Sequence, residues 1–290
     1  MIGRNDPCWC RSGAKWKNCH YPKEEIKEDS LAIQYAKQYK IILKTPQQIE
    51  GIRAACTLTA KILDEACKMA QESVTTNEID AYVYKLHQEA SAIPAPLHYG
   101  HPPFPKSICT SLNEMVCHGI PNDVPLKHGD IMNIDVSAIY KGYYGDCSRM
   151  VIIGQTTPER QLVVDVSKEC LKRSIAVCKP GALISEIGRE IQNYADEMGC
   201  SVIYQFVGHG VGMAFHEPPQ IPHNRNHVSI PMAPGMTFTI EPMINAGGVE
   251  IEVDSTNQWE ARTSDKRASA QWEHTILITK NGHEILTSEP

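Results

Sequence analysis

The residues with the most chemistry in this 290-residue chain are four acids set inside apolar runs. Asp135 stands in Asn-Ile-Asp-Val, Asp146 in Tyr-Gly-Asp-Cys-Ser, Glu241 in Thr-Ile-Glu-Pro-Met and Glu273 in Gln-Trp-Glu-His-Thr-Ile. An ionised carboxylate is rarely carried into such surroundings unless it is paired or holds a metal. Taken singly, each acid reads as a salt-bridge or capping residue. Taken with His209 in Gly-His-Gly-Val-Gly, they form a set of four carboxylates and one imidazole. Two divalent ions balance the four negative charges, and hard oxygen donors with one imidazole suit Mn, Fe, Co or Zn. Two such ions about 3.5–4 Å apart act together on one carbonyl or phosphoryl centre.

A second cluster opens the chain: Cys8-x-Cys10, then Cys19-His20. Three thiols and an imidazole make a closed, tetrahedral structural zinc site. Residues 1–21 hold three of the eleven cysteines, Trp9 and Trp16, and Arg4, Arg11, Lys15 and Lys17 against Asp6. So short a unit has no core of its own, and metal binding supplies its folding free energy.

The elements that must position the acids are legible in the local chemistry. Thr45-Pro46-Gln47-Gln48 has the form of a helix start, with Thr as N-cap, Pro at the first helical position and Gln in the capping-box place. Thr75-x-x-Glu78 opens a second helix and Thr157-Pro158 a third. Strand-like runs cover Lys106–Leu112, Asp130–Ile139 and Tyr143–Ile153, the last two read as a hairpin around Lys141-Gly142. The order then repeats. Gly235 to Glu241 mirrors Gly129 to Asp135 with the same six-residue step, and His209-Gly-Val mirrors His118-Gly-Ile. An internal duplication of two α/β halves is expected, with equivalent acids on opposite walls of one cleft.

These residues resemble a known family. Cys117-His118-Gly-Ile-Pro, Asn133-Ile-Asp135-Val, Gly145-Asp146-Cys-Ser, Gly208-His209-Gly-Val-Gly, Phe215-His216-Glu-Pro-Pro, Thr239-Ile-Glu241-Pro-Met and Gln271-Trp-Glu273-His look like the type I methionine aminopeptidases. The resemblance runs from about residue 45 to the end. It implies the pita-bread α/β fold of two pseudo-symmetric halves around a central antiparallel sheet. It implies that Asp135, Asp146, His209, Glu241 and Glu273 hold two divalent metals, bridged by Asp146 and Glu273. It casts Glu241 as the proton acceptor, and His118 and His216 as catalytic neighbours that bind the scissile amide and the intermediate without ligating metal. Tyr99, Phe104, Cys109, Phe215 and Trp259 would line the methionine pocket, with Gln271 near the small residue that follows. Only 31 residues lie between Glu241 and Glu273, too few for the helical insertion of type II enzymes. The head resembles the SEC-C motif, a small zinc-binding appendage.

The expected organisation is a zinc-binding head at 1–21, a polar linker at 22–44 and a catalytic domain at 45–290. The expected function is removal of the initiator methionine from nascent chains when the second residue is small. A proline-directed peptidase of the same fold and a non-catalytic ribosome-associated relative are the alternatives. The net charge of −6 argues against a DNA-binding body. No apolar run is long enough to span a membrane, and the chain does not open on a signal peptide. Scattered, odd-numbered cysteines fit a reducing, cytoplasmic compartment. A monomer suffices, and the basic, aromatic head is a candidate ribosome anchor unless it merely packs on the body.

Overall fold

Thr45 caps a helix as its chemistry demands. In the computed structural model, which describes residues 5–8, 12–19 and 30–288, Thr45 Oγ1 accepts the Gln48 N–H at 3.3 Å, and Gln48 Oε1 accepts the Thr45 N–H at 2.9 Å. Among the described residues the helices are α1 (Trp16–Cys19), α2 (Leu31–Gln38), α3 (Pro46–Met69), α4 (Thr76–Glu89), α5 (Pro158–Ala176) and α6 (Ser185–Glu197). The caps read from Thr45, Thr75 and Thr157 all form. No described helix is long and apolar enough to cross a membrane.

The strands are β1 (Ile93–Pro94), β2 (Cys109–Leu112), β3 (Met115–Cys117), β4 (Ile131–Tyr140), β5 (Tyr143–Ile152), β6 (Ser201–Val202), β7 (Gly208–Gly210), β8 (Glu217–Ile221), β9 (Thr237–Ile240), β10 (Met243–Asn245), β11 (Ile251–Val253), β12 (Ala261–Thr263), β13 (Ser269–Gln271), β14 (His274–Ile278) and β15 (His283–Ile285). In one sheet β4 pairs with β1, β2 and, along its whole length, β5. A second runs β15-β14-β9-β7-β8. Among the described residues every strand pairing is antiparallel. The strand expected from Lys106 begins only at Cys109. The reason is local: the Ser107 N–H donates to Asp80 Oδ1 of α4, so a helix side chain takes this backbone donor before a ladder can, and Lys106 Nζ donates to Asn77 Oδ1 of the same helix.

Two cores build the two halves. One joins Ile62, Leu63 and Ala66 of α3, Ile79 and Val83 of α4 and Met132, Ile134 and Val136 of β4. The other joins Val163, Cys170 and Ile175 of α5, Ile187 and Ile191 of α6 and Phe238, Ile240 and Ile276 of the second sheet. Burying each such aliphatic side chain contributes about 1.5–3 kcal/mol before entropy is set against it.

The segment expected to be a linker is structured where it is described. Residues 31–38 form α2, Tyr35 Oη donates to the Pro231 carbonyl at 2.8 Å, and Ile41, Ile42 and Leu43 are buried. The charged run at its start, Lys23 to Asp29, suggested a linker, while the partner that anchors Tyr35 lies 196 residues along the chain. In the head, the Cys8 and Trp16 N–H groups donate to Ala14 and Asp6 carbonyls, and Cys8 packs against Ile42 with Trp16 and Cys19 alongside. Cys10 and His20 lie outside the described residues.

Candidate metal centre

Strand register brings the first two acids together. Asp135 faces Ser148 and Asp146 faces Ser137 across the β4–β5 ladder, so both acids lie on one face as diagonal neighbours. Ser137 Oγ donates to Asp146 Oδ1 at 2.8 Å. The hairpin lies tight on α3: a Cβ on Gly145 would come 2.6 Å from the Cys56 nitrogen, so only glycine fits beside Asp146. The other half supplies the remaining groups. Glu241 follows β9, Glu273 precedes β14, and these strands pair with His274 opposite Ile240. The Glu273 N–H donates to the Ser148 carbonyl at 3.2 Å, joining the halves at the site.

Each side chain is held. Glu241 Oε1 accepts from Thr239 Oγ1 at 2.7 Å and Oε2 from Gln271 Nε2 at 3.1 Å, while its N–H donates to His223 Nε2 at 3.2 Å. His209 Nδ1 donates to the Gly210 carbonyl at 3.1 Å, leaving the Nε2 lone pair 3.6 Å from Glu241 Oε1 and 3.7 Å from Asp146 Oδ2. Donor atoms of Asp146, His209 and Glu273 all lie within 4.8 Å of one another.

The electrostatics ask for cations. Burial lifts Asp135 to about 7 and, with the charge of Asp135 adding to it, Glu241 to about 8. Asp146 and Glu273 are pushed well above the carboxylate range by burial and by the charges of the other acids. Burial, with His216 nearby, lowers His209 to about 3, so it stands as a neutral donor. Asp135 Oδ1 is buried with no hydrogen-bond partner. Self-repelling carboxylates, an orphaned oxygen and a neutral imidazole aimed among them form a donor set that fits divalent metal.

Above the acids opens a cavity of about 720 Å³. Asp135, Asp146, His209, Glu241 and Glu273 line it, as do His118, His216, Tyr99, Phe104, Cys109, Phe215 and Trp259. His216 lies 4.0 Å from His209, ring to ring, and stacks on Tyr99 at 5.1 Å. His118, in the left-handed region at φ 57°, meets the edges of Phe206 and Trp259. Burial lowers His118 to about 4, and burial with the nearby His118 does the same to His216, so both are neutral near pH 7. Trp259 Nε1 donates to the Pro102 carbonyl at 2.9 Å and the indole packs edge-on against Phe104. Gln271, expected near the small residue that follows methionine, joins the acid cluster through Glu241. It is buried, turned onto Glu241, and absent from the cavity wall.

Sequence reasoning missed Phe206, Met243 and Ser137, which line the cavity, and Thr239 and His223, which bond Glu241. Ser137 and Thr239 each lie two residues from an acid, on the same face of an extended backbone, and that spacing marks them. Phe206 and Met243 look like ordinary core residues and carry no such mark.

The model of metallopeptidase family M24 matches residues 50–280, and that of the SEC-C motif residues 4–22. A methionine aminopeptidase of Chlamydia pneumoniae is 61% identical over 285 residues, covering 98% of each chain. The crystal structure of methionine aminopeptidase from Rickettsia prowazekii has a TM-score of 0.83 and 43% identity, covering 86% of this chain and 100% of that one. The prolidase from Pyrococcus horikoshii, at 24% identity and a TM-score of 0.70 over 87% of this chain and 65% of that one, shares the fold alone. The fold is the pita-bread fold of these peptidases. Similarity that extends along nearly the full length of both chains completes the identification: the chain belongs to metallopeptidase family M24 and, within it, to the methionine aminopeptidases.

Proposed function

We propose that the protein removes the initiator methionine from nascent chains whose second residue is small, using two divalent ions held by Asp135, Asp146, His209, Glu241 and Glu273. The observation that carries this reading is the position of the five donors at the floor of an aromatic-walled cavity. Bound there, such ions supply Lewis acidity for the first peptide carbonyl and lower the pKa of water. Glu241 takes the proton of the attacking water and returns it to the leaving amine, its carboxylate steadied by Thr239 and Gln271. His118 and His216, neutral and beside the acids, hydrogen-bond the scissile amide and the oxygen on which charge develops. Tyr99, Phe104, Cys109, Phe215 and Trp259 enclose the methionine side chain, whose thioether suits aromatic walls.

The head at 1–21 binds one structural zinc through Cys8, Cys10, Cys19 and His20. The match to the SEC-C motif and the burial of Cys8 support this. Its local charge of about +3 suits it to anchor on ribosomal phosphate, which would hold the protein near emerging chains in the cytoplasm; a monomer suffices, since one chain supplies all five donors of the cavity. Turnover of Met-Ala-Ser, Met-Leu-Ser and Gly-Pro peptides tests the specificity. Release from Met-Ala-Ser alone is expected; cleavage before proline would assign the sister peptidase activity instead.

A further inference from the structure

The cavity has a fifth carboxylate that the mechanism does not use. Glu217, next to His216, lines the same wall, and its side chain is 7% exposed. Its Oε1 accepts from Lys44 Nζ at 2.6 Å and, at 3.5 Å, from the Met213 N–H. Lys44 is the last residue before the cap of α3, and its side chain is 1% exposed. Its backbone is fixed too: the Lys44 N–H donates to the Gly235 carbonyl at 2.8 Å. Burial pulls the ammonium down from its usual range, and the charge and hydrogen bond of Glu217 push it back. A buried lysine is costly unless paired, so this one is held where it is by a specific opposite charge.

The charge count gives that position a meaning. Four acids match two divalent ions, and a fifth, uncompensated, leaves the cavity one charge too negative. Resting on the reading of this cavity as the metal centre, we propose that Lys44 is the counter-ion that removes Glu217 from the charge balance of the site. The N-terminal segment thereby contributes a positioning residue to the catalytic domain, although it lies outside the matched residues 50–280.

The test compares wild type, Lys44→Met and Lys44→Met with Glu217→Gln, all as full chains. Mn²⁺ affinity of the metal-stripped proteins is read by calorimetry, and methionine release after reloading gives kcat and KM. Lys44→Met is expected to bind Mn²⁺ about tenfold more tightly, the scale of one unit charge acting across protein. Its kcat falls about tenfold with KM little changed, because the freed charge opposes the charge that develops on the reacting oxygen. The double variant, with neither charge, returns both values to within about threefold of wild type. Wild-type values in Lys44→Met overturn the proposal, as does a double variant as impaired as the single one, which assigns the pair a packing role. If Lys44→Met does not fold, a folded double variant with wild-type Mn²⁺ affinity upholds the proposal and an unfolded one overturns it. Mn²⁺ affinity needs no turnover, and wild-type release reports separately on the proposed activity.

Discussion

In the proposed reaction the proton passes through Glu241, and the setting of that side chain suits the task. Both oxygens are held by neutral donors, which orient the carboxylate and leave it free to accept a proton. Glu241→Ala is expected to lower kcat for methionine release by about 10³-fold or more, since it removes a metal donor as well as the proton carrier. Gln271→Ala frees Glu241 Oε2 and is expected to lower kcat by about tenfold while the melting temperature moves little; an unchanged kcat would show that the contact is idle. At this scale the clustered acids were legible because an ionisable group in an apolar run is a physical anomaly. Phe206 and Met243 were not, because an apolar residue among apolar residues raises no such question until the cavity is seen. Gln271 was legible through its motif: it lies two residues from Glu273, so alternation keeps it on the face of the acids, where it bonds Glu241.

The elements act as rulers. The β4–β5 hairpin sets the spacing of Asp135 and Asp146, and α3 sets the depth of the hairpin through the close approach at Gly145. Gly145→Ala must push β5 off α3 and carry Asp146 with it. A loss of about 10²-fold in kcat is expected, the cost of roughly 1 Å of misplacement. Normal turnover would show that α3 yields. Thr45→Ala removes the Oγ1 acceptor of the capping box and is expected to cost about 1 kcal/mol, seen as a fall of about 2–4 °C in thermal melting. The long elements could be read because capping chemistry and residue alternation are local. Strands of two or three residues, such as β6, β7 and β10, could not, since a three-residue strand has no period and exists only through its partners. The same holds for the expected linker at 22–44, where the charged run at its start suggested a linker and the anchors of its later residues at Pro231 and Gly235 lie far along the chain.

At the scale of the whole molecule, two α/β halves with separate cores meet at one cluster of self-repelling acids. The metal-free chain therefore stores its instability at the seam between the halves. Asp135 and Glu241 hold their protons to about 7 and about 8, whereas unfolded carboxylates release theirs near pH 4. From about pH 7 to 8.5 the folded chain binds more protons than the unfolded one, so stability falls as pH rises. His118, His209 and His216 titrate below that window when folded and do not reverse the sign. The melting temperature of the metal-free protein should fall across this range, and the rise produced by Mn²⁺ should grow, because metal takes the deprotonated acids. A metal-free melting temperature that rises with pH would contradict the buried-acid reading. The duplicated order of helices, strands and acids made this two-walled architecture legible from the sequence. The seating of the head on Ile42 was not, because it joins a 20-residue unit to one buried isoleucine. Removing residues 1–21 is expected to leave peptide turnover intact and to abolish ribosome co-sedimentation at low salt. Unchanged co-sedimentation would exclude the head as the anchor.

The most direct test is methionine release from Met-Ala-Ser by the metal-stripped chain, before and after reloading with Mn²⁺ or Co²⁺, beside Glu241→Ala. Release that appears only on reloading, and is lost in the variant, is the expected result. Release by the stripped chain, or by Glu241→Ala at the wild-type rate, would contradict the assignment of this cluster as the metal-dependent catalytic centre.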